Sequence, residues 1–113
     1  MGTETNEPSD LPYGLRVMPM AEEDLDGIFD YIANTLEAPV AAHRLMAKIE
    51  KAIQGLKDTP RIGSKCRDET LNKKGYRKLI VDNYIAFYLV NDEERTVIVM
   101  RVIYGRRNYP ALL

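Results

Sequence analysis

The segment YGRRNY, residues 104–109, is the sharpest local feature of the sequence that could carry chemistry. Its glycine is typical of the end of a strand, and two guanidinium groups and a phenol follow within four residues. Arginine offers planar, bidentate hydrogen-bond donors that suit phosphate or carboxylate groups. The segment therefore predicts an anion-binding site. The alternative is ordinary solvated charge, or a bond from an arginine to an acidic helix.

The charge is divided unequally along the chain, although 16 basic and 17 acidic side chains nearly cancel. Residues 1–56 hold 10 acidic and 4 basic side chains, whereas residues 57–113 hold 7 acidic and 12 basic ones. An anionic partner for the C-terminal half is one interpretation of this asymmetry. Attraction between the two halves within the fold is the other.

The composition narrows the class of protein. The chain has 113 residues, of which 45% are hydrophobic and 29% charged, so one packed domain is expected rather than disorder. No apolar run approaches the ~20 residues of a membrane span. The polar, acidic first residues do not resemble a signal peptide, so no membrane contact and a cytoplasmic location are expected.

A single cysteine, Cys66, excludes an internal disulfide and a multi-cysteine zinc site. Its neighbours Lys65 and Arg67 would lower the pKa of the thiol, but no His or Asp arrangement accompanies it, so a bystander role is favoured. Glu22, Asp26 and Asp30 share one helix face, which is interpreted as solvated. Neither a metal nor a cofactor is expected.

The first half of the chain predicts a strand and two helices. Residues 1–13 are interpreted as a flexible extension, and residues 14–113 as one domain. A strand is expected over residues 15–18. An amphipathic helix follows, with an apolar stripe that runs from Leu25 to Leu36. Pro39 is well suited to the first position of a second helix, and the apolar stripe expected for that helix is Leu45, Ile49, Ala52, Ile53 and Leu56.

The second half predicts a long basic loop over residues 57–75 and then three strands, Tyr76–Val81, Tyr84–Val90 and Thr96–Tyr104. Asp82 and Asn83 fit a two-residue hairpin turn. The expected fold is α+β, in the order β-α-α-β-β-β, with a helical hairpin on a mostly antiparallel four-stranded sheet.

The hairpin turn fixes which side chains share a face of the sheet. It places Val81 opposite Tyr84 and Lys78 opposite Phe87. The face away from the helices then carries aromatic and aliphatic groups, so it is expected either to bind a partner or to be covered by one end of the chain. Arg101 interrupts an otherwise apolar strand. A pair with a buried carboxylate is favoured for it over a place in a functional cleft.

The element order and three sequence runs together resemble the RelE/ParE toxin superfamily. The runs are GYRKL at 75–79, NYIAFY at 83–88 and RVIYGRR at 101–107. The resemblance spans residues 15–113 and implies a toxin from a bacterial type II toxin–antitoxin pair, a plasmid-stabilisation module that inhibits growth. A cognate antitoxin protein is the implied partner.

The resemblance implies two targets. Relatives of the RelE kind cut messenger RNA on the ribosome without a metal, and relatives of the ParE kind inhibit DNA gyrase. For the nuclease activity, the matching positions are Lys78, Arg107 and, by a loose alignment, Tyr109 as catalytic residues. The nearby basic side chains expected to bind substrate are Lys73, Lys74, Arg77 and Arg106.

One position departs from the nuclease pattern. Ile85 occupies the place of a catalytic arginine, and an isoleucine can neither donate a hydrogen bond nor neutralise developing phosphate charge. The apolar side chains on this face (Ile80, Ile85, Phe87 and Leu89) also favour a protein-contacting surface. The sequence therefore favours gyrase inhibition. An mRNA endoribonuclease is the alternative, and an inactive relative that only binds its antitoxin is the third hypothesis.

Overall fold

The computed structural model describes residues 11–106 and 109–113, in which two long helices pack on one face of a sheet. The elements in chain order are β1 (Gly14–Val17), α1 (Pro19–Asp30), a π-helical turn (Tyr31–Thr35), α2 (Pro39–Gly55), β2 (Ser64–Lys65), α3 (Glu69–Lys73), β3 (Arg77–Val81), β4 (Tyr84–Asn91), β5 (Thr96–Tyr104) and a 3₁₀ turn (Tyr109–Ala111). Residues 1–10, most of the predicted extension, lie outside the described part of the chain.

The sheet has the strand order β1-β5-β4-β3-β2, in which β1 runs parallel to β5 and the other neighbours are antiparallel. This confirms the predicted α+β class and the helical hairpin. The sheet has five strands rather than the four expected. The additional strand, β2, is a two-residue segment of the basic loop in which Ser64 pairs with Lys78.

The first helix departs from its predicted stripe at its end. The backbone N–H of Leu36 donates to the carbonyl of Tyr31, five residues earlier, at 3.0 Å, which is the hydrogen-bond pattern of a π-helix. Such a turn holds more residues than an α-helical turn, so the apolar spacing loses its phase. Leu36 is 53% exposed, and its predicted place on the buried stripe is wrong.

The second helix follows its prediction. It begins at Pro39, and its apolar stripe is buried against the sheet (Ala42, Leu45, Ile49, Ile53 and, just beyond its end, Leu56). The four larger side chains, from Leu45 to Leu56, pack in one core with Tyr88, Val97 and Val99 of the central strands. Among the helices of the described residues, none is long and apolar enough to span a bilayer.

The hairpin between β3 and β4 has the predicted register. Val81 lies opposite Tyr84 and Lys78 lies opposite Phe87. Asp82 has a positive φ of 53°, which a two-residue turn of this kind needs. The carboxylate of Asp82 also pairs with the ammonium of Lys48 on α2 at 3.1 Å, which connects the turn to the helical layer.

The face of the sheet away from α1 and α2 holds a second apolar cluster. Its buried members are Cys66, Leu71, Tyr76, Ile85, Phe87 and Ile103. Helix α3 and the last two residues, Leu112 and Leu113, pack against it, so this chain covers the face itself. The prediction of an exposed protein-contacting face formed by Ile80, Ile85, Phe87 and Leu89 is therefore wrong in part. Ile80 alone of the four is exposed, at 62%.

Candidate functional site

Helix α3 positions the lysines of the basic loop. The Asp68 carboxylate accepts a hydrogen bond from the Leu71 N–H at 3.0 Å and caps the N-terminus of the helix. At the other end, Gly75 has a φ of 88° and its N–H donates to Asn72, while the N–H of the next residue, Tyr76, donates to Leu71. These two bonds form a Schellman motif.

Lys73 and Lys74 lie at this capped C-terminus and are both exposed. The C-terminal end of a helix favours cations, so the lysines also complement the helix dipole. Their ammonium groups are therefore available to an anionic partner at the start of β3.

Lys78 lies in the middle of β3, between Ser64 of β2 and Phe87 of β4, and is half-buried. Its charge acts on the buried Cys66 thiol. Burial raises the pKa of that thiol, and the positive charge of Lys78 opposes this increase only in part. The expectation that Lys65 and Arg67 lower the Cys66 pKa is wrong, because the 2% exposed thiol is governed by desolvation. Its bystander role stays a prediction.

Arg77 lies on the opposite face of β3 from Lys78. Its guanidinium donates from Nη2 to the carbonyl oxygens of Gly63 at 2.6 Å and of Arg61 at 3.0 Å. These bonds hold the loop before β2 against the sheet. The structure therefore places Arg77 in the support of the basic loop, on the other side of the sheet from the Lys78 ammonium.

The C-terminal segment, residues 105–113, begins directly after β5. At its start the N–H of Gly105 donates to the carbonyl of Asn83, in the β3–β4 turn, at 2.8 Å. Arg106 follows and is exposed. Arg107 lies outside the described residues, and Tyr109 is described only by its backbone, at the start of the 3₁₀ turn. The lysines Lys73 and Lys74 precede β3 whereas Arg106 lies beside the turn that ends it, so the two sets of charges occupy opposite ends of this strand.

Arg101 pairs with a shielded carboxylate, as predicted. Its Nε lies 2.7 Å from Asp24 Oδ2 and its Nη2 lies 2.9 Å from Asp24 Oδ1, while the two side chains are only 15% and 16% exposed. The Asp24 hydrogen bond raises the pKa of the Arg101 guanidinium against the opposing effect of burial.

A groove lies on the outer side of α2, where the helix meets the edge of the sheet. It encloses about 400 Å³ and is lined by two lysines and mostly apolar groups (Lys48, Lys51, Ala52, Gly55, Thr59, Ile62 and Leu79). Ile62 is 67% exposed. This surface was missed in the sequence, because it joins a helix to a loop residue that has no periodic pattern. In residues 11–106 and 109–113, no three His, Cys, Asp or Glu side chains cluster as metal ligands.

Comparison with known proteins identifies the family. The family model described as "ParE toxin of type II toxin-antitoxin system, parDE" matches residues 15–109. No functionally curated protein sequence matches the chain.

Solved structures with the same fold come from toxin–antitoxin systems. The chromosomal ParDE system of P. aeruginosa aligns at a TM-score of 0.67 and 21% identity, over 81% of this chain and 95% of that one. The RelBE2 complex of Mycobacterium tuberculosis aligns at 0.62 and 27%, over 83% and 99%. A free E. coli RelE mutant aligns at 0.62 and 18%, over 90% and 93%.

Proposed function

Because the chain belongs to the ParE toxin family of type II toxin–antitoxin systems, we propose that it stops bacterial growth by binding DNA gyrase in the cytoplasm. A cognate antitoxin neutralises it. The C-terminal segment with Arg106 and Arg107 supplies the cations that contact the target. Interface arginines of this kind commonly carry a large share of the binding energy.

The burial of Ile85 carries the choice of gyrase over RNA. Ile85 is 8% exposed and packs with Phe87 and Ile103 in the second apolar cluster. A charged side chain at position 85 would lose its hydration and gain no oppositely charged partner in return. The position is therefore unsuited to the catalytic cation that nuclease relatives hold. Lys73 and Lys74 also lie at the other end of β3 from Arg106. The basic side chains expected to bind the RNA backbone therefore lie at two ends of β3 rather than around one phosphate.

The groove on α2 supports the antitoxin partner. Lys48 and Lys51 border it, and Ala52, Ile62 and Leu79 supply an apolar surface. An amphipathic segment with acidic residues beside apolar ones fits this combination of charge and shape. We assign the antitoxin contact to this groove.

The second candidate is a metal-independent endoribonuclease. Lys78 favours it, because this half-buried residue lies on the strand position where the resemblance places a functional lysine, next to the basic loop. In this alternative Lys78, Arg107 and Tyr109 act on the phosphate, and Lys73, Lys74 and Arg106 bind the RNA backbone.

Induced expression separates these candidates. Expression without the antitoxin should halt growth of a related bacterial host, and primer extension on its transcripts should reveal no ribosome-positioned cuts. Truncation after Tyr104 should relieve the arrest, because it removes the C-terminal arginines but leaves the strands and helices. Sharp cuts in the transcripts would overturn the gyrase proposal, and unchanged growth would favour an inactive antitoxin-binding relative.

A further inference from the structure

Three tyrosines come together where β5 ends and the C-terminal segment begins. Tyr84 and Tyr104 lie opposite each other on β4 and β5, and their rings make an edge-to-face contact with centroids 5.6 Å apart and planes at 65°. Tyr31 directly follows α1. Burial raises the pKa of Tyr84, and the Tyr104 and Tyr31 phenols add to the increase because they lie close enough to repel its charged form. We call this group the tyrosine cluster.

The tyrosine cluster is rooted in the core but exposes two of its members. Tyr84 is half-buried and packs against the main core, whereas Tyr31 is 53% exposed and Tyr104 is 40% exposed. The backbone of Tyr31 is fixed, because its N–H donates within α1 and its carbonyl accepts the Leu36 N–H of the π-helical turn. Turns of this kind are frequent at functional sites. Side chains that are already ordered lose little entropy when a partner covers them.

Arg106 adds a positive charge at the same end of the sheet. Gly105 directly follows Tyr104, and its N–H donates at 2.8 Å to the carbonyl of Asn83, the residue before Tyr84. Arg106 comes one residue after this bond and is exposed, and it forms no ion pair with another residue of the described chain. Its guanidinium is therefore available to a partner that covers the tyrosine cluster.

The surroundings of the cluster favour a protein partner over a nucleic acid. Tyrosine and arginine are enriched among the residues that carry most of the binding energy in protein interfaces, and polar side chains surround them. Here the polar surroundings include the exposed Asp30, which precedes Tyr31, and the Lys48–Asp82 pair of the β3–β4 turn. The aspartates would repel a phosphate backbone. None of the three tyrosines lines the groove on α2 that we assign to the antitoxin.

We infer that Tyr31 and Tyr104 anchor the toxin on its target, and that the gyrase surface they contact has an apolar recess with a carboxylate beside it for Arg106. The inference rests on the proposed function and extends it, because the tyrosine cluster continues directly into the residue that carries this cation. The rings supply apolar contact area, and the phenol hydroxyls donate hydrogen bonds at its edge. The guanidinium binds the carboxylate through parallel N–H groups.

The test removes the rings one at a time in the full-length protein. Tyr31→Ala and Tyr104→Ala should each raise the half-inhibitory concentration in a gyrase supercoiling assay by about tenfold or more. Tyr104→Phe keeps the ring and should raise it less than Tyr104→Ala does. Met20→Ala is the matched control, because Met20 lies at the other end of α1 and is 55% exposed. This control should inhibit gyrase like the wild type.

Folding and antitoxin binding are measured on the same variants. Both ring deletions should bind the antitoxin as tightly as the wild type, and Tyr31→Ala should melt close to the control. If Tyr104→Ala melts much lower, because Tyr104 also packs on Tyr84, the more exposed Tyr31 decides the outcome. Undiminished gyrase inhibition by a folded Tyr31→Ala variant would then overturn the inference.

Other results would assign the cluster to a different occupant and overturn the inference as well. These are weaker antitoxin binding by the ring deletions, a wild-type dimer that Tyr104→Ala makes monomeric in sedimentation, and binding of a labelled DNA oligonucleotide that the ring deletions abolish. A wild type that does not inhibit gyrase at all would overturn the proposed function itself, and the anchoring role with it. Inhibition by the wild type and by both ring deletions alike would overturn only the anchoring role.

Discussion

The hydroxyl oxygen of Tyr88 accepts a hydrogen bond from the backbone N–H of Gly63 at 3.0 Å, deep in the core. Tyr88 is fully buried in β4, and Gly63 lies in the loop just before β2. The Gly63 carbonyl accepts a bond from Arg77 at 2.6 Å, so both backbone polar groups of Gly63 are hydrogen-bonded to side chains of the sheet. Tyr88 and Arg77 thus together fix the part of the basic loop just before β2.

A side chain at position 63 should destabilise the fold strongly. A Cβ there would lie 2.5 Å from the Lys78 carbonyl and 2.7 Å from the Tyr88 hydroxyl, and neither group can move freely. Gly63→Ala should therefore cost several kcal/mol in the free energy of unfolding, and Tyr88→Phe about 1–3 kcal/mol because it leaves a buried N–H unpaired. Denaturant unfolding of each variant measures these costs.

Gly27→Ala is the control for this prediction. A Cβ at Gly27 meets nothing within 4 Å, and alanine is the better helix former, so this change should stabilise the protein by about 0.5–1 kcal/mol. A Gly63→Ala variant as stable as the wild type would contradict the role assigned to this glycine.

Periodic patterns and turn chemistry allow much of the fold to be predicted from the sequence. The α2 stripe, the register of the β3–β4 hairpin and the carboxylate partner of Arg101 follow from local spacing and from the cost of burying an unpaired charge. The π-helical turn after α1 cannot be predicted from these local patterns, since tertiary contacts decide where a helix adds a residue.

The basic loop carries a sequence signal for the short helix α3. Asp68 and Gly75 bracket a short stretch, and an aspartate before such a stretch with a glycine after it is typical of a capped helix. Strand β2 has no such signal, because two residues are too few to define a period and their partner, β3, lies far along the chain. Coverage of the second face by one end of the chain, as Leu112 and Leu113 provide it, is one of the two alternatives that the sequence leaves open, whereas the packing of α3 on this face depends on contacts between distant parts of the chain.

The Asp92 cluster makes the stability depend on pH. Asp92 accepts hydrogen bonds from Arg61 at 2.6 Å and from the Tyr13 hydroxyl at 2.7 Å, and these bonds hold the pKa of its carboxyl below the ordinary value of 3.8. Since the folded state favours the charged form, this stabilisation is present above pH 3.8 and is lost as the pH falls through the lower folded value.

Asp92→Asn should therefore lower the melting temperature at pH 7, and the difference from the wild type should shrink as the pH drops below 3.8. Asp58→Asn, at an exposed aspartate just after α2, is the control for the substitution itself. This linkage would be ruled out if the difference in melting temperature between Asp92→Asn and the wild type stayed constant down to the lowest measurable pH.

The groove on α2 should decide antitoxin binding. Coexpression with the adjacent gene product should raise the solubility and melting temperature of the toxin, because a ligand that binds only the native state stabilises it. Ile62→Asp and Lys51→Glu should each weaken the complex by about 1–3 kcal/mol, measured by calorimetry on purified proteins. Leu36→Asp, at an apolar residue that is 53% exposed but lies outside the groove, should leave the affinity unchanged.

If the groove variants bind the antitoxin as tightly as the wild type, the contact lies on another surface. If the adjacent gene product changes neither solubility nor melting temperature, that product is not a partner of this chain.

The most direct test of the proposed function is supercoiling of relaxed plasmid DNA by purified gyrase in the presence of this protein. The wild type should inhibit supercoiling and trap broken DNA, and Arg107→Ala should raise the half-inhibitory concentration by roughly 5-fold to 150-fold, the effect of losing about 1–3 kcal/mol at one interface arginine. Full supercoiling at saturating wild-type protein that is folded and still binds its antitoxin would contradict the account.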